Sequence, residues 1–185
     1  MLLIVAATDN EMQGTTDLEG VETLVCGIGP VDAAIRVAAR LAVLPRPAAI
    51  LHIGIAGTRH AAGIIAGEIV IGSAAVYCDT TSRLVEHRLM PDGDLLHELE
   101  RAFPHVRLLE IGTSANVGGS SHLDVEAMEG FAVLRAAELA QIPAIEVRAI
   151  SNEIEEPDRA RWNFDLALDN LAAVLPRLIS ALTVR

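Results

Sequence analysis

Short runs of apolar, mostly β-branched residues alternate along this chain with longer segments of helical periodicity. The runs predict buried strands at 2–7, 21–26, 48–53, 68–77, 106–111 and 143–150. The segments between and after them predict helices at 31–44, 93–103, 129–141 and 164–182, and Pro176 is expected to kink or split the last helix near Leu175. Polar segments at 79–91 and 151–163 are predicted as loops. This alternation favours an α/β, single-domain, three-layer fold over residues 1–185, with a mostly parallel or mixed sheet flanked by helices.

Composition limits what such a domain could bind. The 185 residues are 51% apolar but only 3% aromatic, so Ala, Val, Ile and Leu must build the core. The net charge of −11 repels phosphate backbones and anionic membranes, which argues against nucleic-acid and membrane partners. The N-terminus has no basic region, and the longest apolar tract, 61–77, is interrupted by Glu68; we therefore expect a cytoplasmic protein.

Several kinds of chemistry are excluded or disfavoured by residue type. All fourteen cations are arginines, so no lysine can form a Schiff base or bind phosphate in a P-loop. Cys26 and Cys78 lack paired spacing and are interpreted as buried thiols, and the six histidines show no metal-ligand spacing. No metal or organic cofactor is expected.

Chemistry-bearing residues follow the predicted strands, where ligands bind in α/β folds. Glu11 follows the first strand, glycine-containing turns at 27–29 and 54–57 follow the second and third, and Asn152 ends the last. The Gly- and Ser-rich segment 112–123 is expected to lie along the same site. Each feature alone is also typical of ordinary structure, such as a solvated acid or a tight turn.

Taken in order, these features resemble the nucleoside phosphorylase/nucleosidase superfamily. The resemblance rests on 7–11, on the glycine turns, on Met128-Glu129 and on 147–152, which reads VRAISN. Within that superfamily the chain is most similar to futalosine hydrolases, with methylthioadenosine/adenosylhomocysteine nucleosidases as close relatives. The resemblance implies hydrolysis of the N-glycosidic bond of a purine nucleoside, and a homo-oligomer.

The resemblance also implies roles for individual residues. Glu11 would activate the attacking water, and Asn152 would meet the purine. The substrate-binding positions carried over are Ala56 and Gly57 beside base and sugar, Asn116 and Val117 at the base edge, Met128 and Glu129 on the ribose, and Trp162 against the 5′ substituent.

Two physical arguments narrow the chemistry. Phosphorolysis needs a cationic cradle, yet His52 and Ile55 stand where phosphorylases of this fold place such groups, and Arg59 is the one cation nearby in sequence. Water is therefore the expected nucleophile. The amide of Asn152 can donate to both N7 and O6 of a 6-oxopurine, whereas an aspartate would suit adenine. Hypoxanthine is the expected leaving group, as in futalosine hydrolysis for menaquinone biosynthesis.

Other interpretations remain open from sequence alone. One is a methylthioadenosine/adenosylhomocysteine nucleosidase with relaxed base choice, against which only Asn152 stands. Another is a non-catalytic nucleoside-binding paralogue, because the chain is shorter than is usual for the superfamily it resembles. A third is a structural partner in a larger assembly.

Overall fold

A mixed eight-stranded sheet organises the molecule in a computed structural model that describes residues 1–15, 18, 20–119 and 121–183. The strands are β1 (Leu2–Ala6), β2 (Val21–Val25), β3 (Ala49–Thr58), β4 (Ile69–Tyr77), β5 (Arg88–Leu89), β6 (Arg107–Thr113), β7 (Val125–Ala127) and β8 (Ala144–Glu153). The helices are α1 (Pro30–Leu41), α2 (Gly93–Ala102), α3 (Gly130–Leu139) and α4 (Phe164–Thr183). The predicted α/β class is confirmed, and the six predicted strands and four predicted helices occur in the predicted order.

The sheet closes part of itself into a ring. β3 pairs with β8 in parallel and, at its far end, with β7; the circuit is completed through β6 and β4, which returns antiparallel to β8. β1 and β2 extend the sheet from β3, and β5 extends it from β4. The short strands β5 and β7 were not predicted, because two or three residues carry no readable periodicity.

Helices cover both faces of the sheet, as predicted. α2 and α4 pack on one apolar cluster, and α1 and α3 pack on another. α4 has the length and hydropathy of a membrane-crossing helix, but its buried side chains belong to the first cluster. The helix also runs through Pro176 without a break, so the predicted split near Leu175 is wrong.

Two predicted strand ends are also wrong, and both corrections bear on the site. β3 continues through Gly54 and Gly57 to Thr58, with a register shift at Ala56/Gly57, instead of ending at Ile53. β8 likewise continues past Ile150 to Glu153. Both strands continue because they pair with each other over this length, and such pairing can hold even glycines extended.

Candidate active site

The carboxyl ends of the strands surround a cavity of about 620 Å³. It is lined by residues that follow β1, β6 and β7, by the end of β3, and by the end of β8 with the segment beyond it. All nine residues singled out from the sequence line it: Glu11, Ala56, Gly57, Asn116, Val117, Met128, Glu129, Asn152 and Trp162. The structure therefore brings all nine residues to one cavity. The chemical role of each residue stays a prediction.

Glu11 is presented by a single 3-10 turn, Asn10–Met12, just after β1. Its side chain is only 6% exposed. One carboxylate oxygen accepts a hydrogen bond from the Ile55 amide at 3.0 Å, and the other accepts from the Thr8 amide at 3.0 Å and the Thr8 hydroxyl at 2.9 Å. Three donors therefore fix the carboxylate at the cavity wall, so Glu11 is not the solvated loop acid that its position alone would suggest.

Glu129 occupies the N-cap position of α3 but does not cap it, because its side chain makes no bond to the helix amides. Its Oε1 accepts a hydrogen bond from the Gly29 amide at 3.0 Å, and its Oε2 lies 3.5 Å from Nη2 of Arg148. The Phe131 amide of the helix instead donates to the Thr113 hydroxyl at 2.7 Å. Glu129 is thereby free to face the cavity, and the ordinary capping interpretation is wrong.

Arg148 links the two acidic residues from behind the cavity wall. It is fully buried, and its Nε donates to Glu146 at 2.8 Å while Nη2 faces Glu129. Gly54 shows how close the groups are: a Cβ there would lie 2.2 Å from Arg148 Nη1 and 2.7 Å from Glu11 Oε1. A single guanidinium therefore lies between the carboxylates expected to activate water and to bind the ribose.

His52 supports Arg148 rather than facing a ligand. It is completely buried; Nδ1 donates to the Val5 carbonyl at 3.0 Å, so Nε2 accepts a hydrogen bond from the Arg148 guanidinium. Burial, helped by the charge of Arg148, holds the pKa of His52 well below its usual range. His52 therefore lies behind the wall of the cavity and does not line it.

Glu146, the other partner of Arg148, is a buried carboxylate with one oxygen that lacks a hydrogen-bond partner among the described residues. Its side chain is 1% exposed, and among the described residues nothing hydrogen-bonds its Oε2. Burial raises the pKa of this carboxyl, although Arg148 opposes the shift. The carboxylate lies against Gly130, where a Cβ would approach Oε2 to 2.2 Å. The sequence analysis assigned no role to Glu146 or Arg148, although an acid and a cation inside an otherwise apolar strand were a visible signal.

Arg59, the cation that could have served a phosphate, is bound elsewhere. Its Nε donates to the Leu123 carbonyl at 3.0 Å, and its guanidinium forms ion pairs with Glu126 at 3.5 Å and Glu155 at 3.4 Å. It does not line the cavity. Arg59 therefore joins β3 to the segments beyond β6 and β8 instead of providing an anion site.

Asn152 lies near the end of β8 and is 9% exposed. Its amide lies next to Gly57, where an added Cβ would be 3.1 Å from Nδ2. Its Oδ1 accepts a hydrogen bond from the Ser151 hydroxyl at 2.7 Å, and its Nδ2 donates to the Glu153 carbonyl at 2.9 Å. Ser151 therefore orients the amide. One N–H is used inside the protein, so one remains for a ligand instead of the two that were expected.

Trp162 follows a 3-10 turn, Arg159–Arg161, and its indole N–H donates to the Glu156 carbonyl at 3.0 Å. The ring lies 5.4 Å from that of Phe164, and the Arg159 guanidinium lies 5.5 Å from its centre. This wall of the cavity is therefore aromatic with a cation at its edge.

Asn116 and Val117 lie in an exposed part of the predicted segment 112–123, and Ser120 in that segment lies outside the described residues. The loop is fastened by Asp79, which accepts hydrogen bonds from the Ser114 hydroxyl and the Ala115 amide, both at 2.7 Å. The two residues therefore lie at the mouth of the cavity, not in its depth. Within 1–15, 18, 20–119 and 121–183, no three His, Cys, Asp or Glu side chains are grouped to hold a metal.

Known structures share this architecture over nearly the whole chain. The methylthioadenosine/S-adenosylhomocysteine nucleosidase of Streptococcus pneumoniae, solved with a transition-state inhibitor, superposes with a TM-score of 0.83 at 22% identity, covering 98% of this chain and 99% of that one. Futalosine hydrolase of Helicobacter pylori superposes with a TM-score of 0.83 at 13% identity, covering 97% of both chains. The chain therefore has the nucleoside phosphorylase/nucleosidase fold.

At the level of sequence, the likeness is local. The chain is 42% identical over 57 residues to futalosine hydrolase of Streptomyces coelicolor, a segment that is 31% of this chain and 24% of that protein. No protein-family model matches the chain.

Proposed function

We propose that this protein hydrolyses the N-glycosidic bond of a purine nucleoside. The observation that carries the proposal is the convergence of Glu11, Glu129 and Asn152 on one cavity, although they lie far apart in the chain. Two carboxylates and an amide around one cavity supply a base for water, an acceptor for sugar hydroxyls and a donor for the leaving purine.

The reaction follows from these positions. Glu129 accepts hydrogen bonds from the ribose hydroxyls, and the bond from C1′ to the purine nitrogen breaks with its electron pair moving to the base. Asn152 donates its remaining N–H to the purine as negative charge develops, an effect worth about 10²–10³ in rate by analogy with an oxyanion-hole donor. Glu11 takes a proton from the water whose oxygen bonds to C1′. A neutral amide is no acid, so the departing base must take its proton from water or from a residue other than Asn152.

Charge favours water over phosphate as the nucleophile. Arg148 is already paired with Glu146 at 2.8 Å and with Glu129 at 3.5 Å. A phosphate dianion placed beside Arg148 would meet the carboxylates of Glu11 and Glu129, while the charge of Arg148 is already paired with acidic side chains, and unpaired buried charge costs several kcal/mol. We therefore infer a hydrolase and not a phosphorylase.

For the substrate we propose futalosine, with hypoxanthine released and the product continuing to menaquinone. The one free N–H of Asn152 supports a 6-oxopurine where it donates to O6, because adenine has an amino donor at that position. The local likeness to the Streptomyces coelicolor enzyme also supports this choice. The structural neighbours also include methylthioadenosine/S-adenosylhomocysteine nucleosidases, so adenine release is the alternative that the experiment must separate. A cytoplasmic homo-oligomer stays a prediction.

The experiment supplies futalosine, inosine and methylthioadenosine separately, with and without phosphate, and resolves the products by chromatography. We expect hypoxanthine from futalosine at a rate independent of phosphate. Glu11→Gln and Glu129→Ala should each reduce kcat by about 10²-fold or more while circular dichroism stays unchanged. Full activity in both folded variants would overturn the mechanism. Release of adenine from methylthioadenosine, with no hypoxanthine from futalosine, would show that futalosine is not the substrate.

A further inference from the structure

Charge is unevenly distributed around the cavity. Acidic residues contribute to its lining at four positions, namely Glu11, Glu126, Glu129 and Asp165. Among the described lining residues, Arg159 is the one cation. An anionic group on a ligand would be repelled near these acids and attracted near Arg159.

Arg159 is held in place without being neutralised. Its guanidinium lies 5.5 Å from the centre of the Trp162 ring, a cation–π distance. No carboxylate of the described residues forms an ion pair with it, whereas Arg161 in the same turn pairs with Glu156 at 3.2 Å and Asp158 at 3.9 Å. The two arginines of one turn therefore differ: one is paired outside the cavity, and the other lines it with its charge available.

Apolar side chains line the cavity near Arg159 and elsewhere. Trp162 lies under the Arg159 guanidinium, Phe164 lies against Trp162, and Ile154 and Leu168 also line the cavity. At about 620 Å³, the cavity lies in the range of sites that hold drug-sized ligands, which leaves room for more than a bare nucleoside. Such a surface would bind a hydrocarbon or aryl chain, and the cation at its edge would bind a carboxylate at the end of that chain.

We propose that Arg159 binds the terminal carboxylate of an apolar 5′ arm on the nucleoside and so determines the substrate class. This rests on the proposed nucleosidase function, and it extends it from the purine to the opposite end of the substrate. Futalosine fits this class because its 5′ arm carries an aromatic carboxylate. Inosine and methylthioadenosine have no such group.

The test compares Arg159→Gln with Arg161→Gln, a matched control from the same turn. Substrates are futalosine, the methyl ester of its carboxylate, and inosine. We expect Arg159→Gln to lower kcat/KM for futalosine about 10- to 100-fold, mainly through KM, because a charge-assisted hydrogen bond is lost. Inosine hydrolysis should change by less than about twofold, and Arg161→Gln should behave as the wild type. The wild type should also prefer futalosine to its ester, and Arg159→Gln should not.

An equal loss for futalosine and inosine in Arg159→Gln would assign the residue a structural role and overturn the proposal. So would equal effects of the two arginine variants. If the wild type hydrolyses none of the nucleosides, the proposed function is wrong but the role of Arg159 can still be tested. Calorimetry would then compare the dissociation constants of futalosine and its methyl ester. Equal binding of acid and ester would then refute the role of Arg159.

Discussion

The contact between Glu146 and Gly130 makes a quantitative prediction about the cluster behind the cavity. Replacing Gly130 by alanine would place a Cβ 2.2 Å from Glu146 Oε2 and 2.3 Å from Oε1. Real Cβ atoms essentially never approach other heavy atoms within 3.0 Å, so either the carboxylate or helix α3 must move. Moving the carboxylate disturbs its 2.8 Å bond to Arg148.

The magnitude follows from the terms involved. Overpacking a buried site costs about 1–3 kcal/mol, and breaking a buried ion pair costs about 3–5 kcal/mol when it is complete. The better helix propensity of alanine returns less than about 1 kcal/mol. We therefore expect Gly130→Ala to lower the free energy of unfolding by about 2–4 kcal/mol, a large part of the stability of a typical domain.

A double-mutant cycle isolates the contact. In Glu146→Ala the carboxylate is gone, so adding Gly130→Ala should cost nearly nothing, giving a coupling free energy of about 2–4 kcal/mol. Glu146→Gln is the matched control: it removes the charge and keeps the volume, so Gly130→Ala should remain destabilising in that background. Urea unfolding at pH 7 followed by circular dichroism measures all six proteins. Additivity within about 0.5 kcal/mol, or rescue by glutamine as well as by alanine, would refute the steric argument.

Two further predictions concern hydrogen bonds at the site. Ser151→Ala removes the donor that orients the Asn152 amide, so the preference for futalosine over methylthioadenosine, measured as a ratio of kcat/KM, should fall about 10-fold; an unchanged ratio would show that the amide is oriented without Ser151. Burial lowers the pKa of His52 in the folded state, so the unfolded state binds a proton at higher pH than the folded state does. Protonation therefore favours unfolding as the pH falls from about 6.5 toward the folded-state pKa. Wild-type stability should therefore fall below pH 6.5 by up to about 1.4 kcal/mol per pH unit relative to His52→Gln in urea titrations, and parallel pH profiles would contradict this.

The cavity was predictable because its residues follow strands, and a strand is visible in a local apolar run. Once β1, β3 and β8 are parallel neighbours, their carboxyl ends meet, and residues as distant as Glu11 and Asn152 face the same space. The predicted order of strands and helices was sufficient for this, and errors of a few residues at strand ends did not disturb it.

The cluster around Arg148 was not predictable in the same way. Its members lie on β3, β8 and the start of α3, and each ionic contact is defined only when those elements pack. A local pattern shows that Glu146 and Arg148 stand among apolar residues, but it does not show which group compensates each charge. Arg159 was missed for a related reason: only the structure distinguishes it from the paired Arg161 in the same turn.

Glycine is required at this site for two different structural reasons. Gly29, with φ of 91°, needs the left-handed region so that its amide can reach Glu129. Gly54 and Gly130 have no such backbone requirement; they leave space for Arg148 and Glu146, each of which would lie about 2.2 Å from an added Cβ. Larger residues at 54 or 130 should therefore become tolerable only when the charged partner is shortened as well.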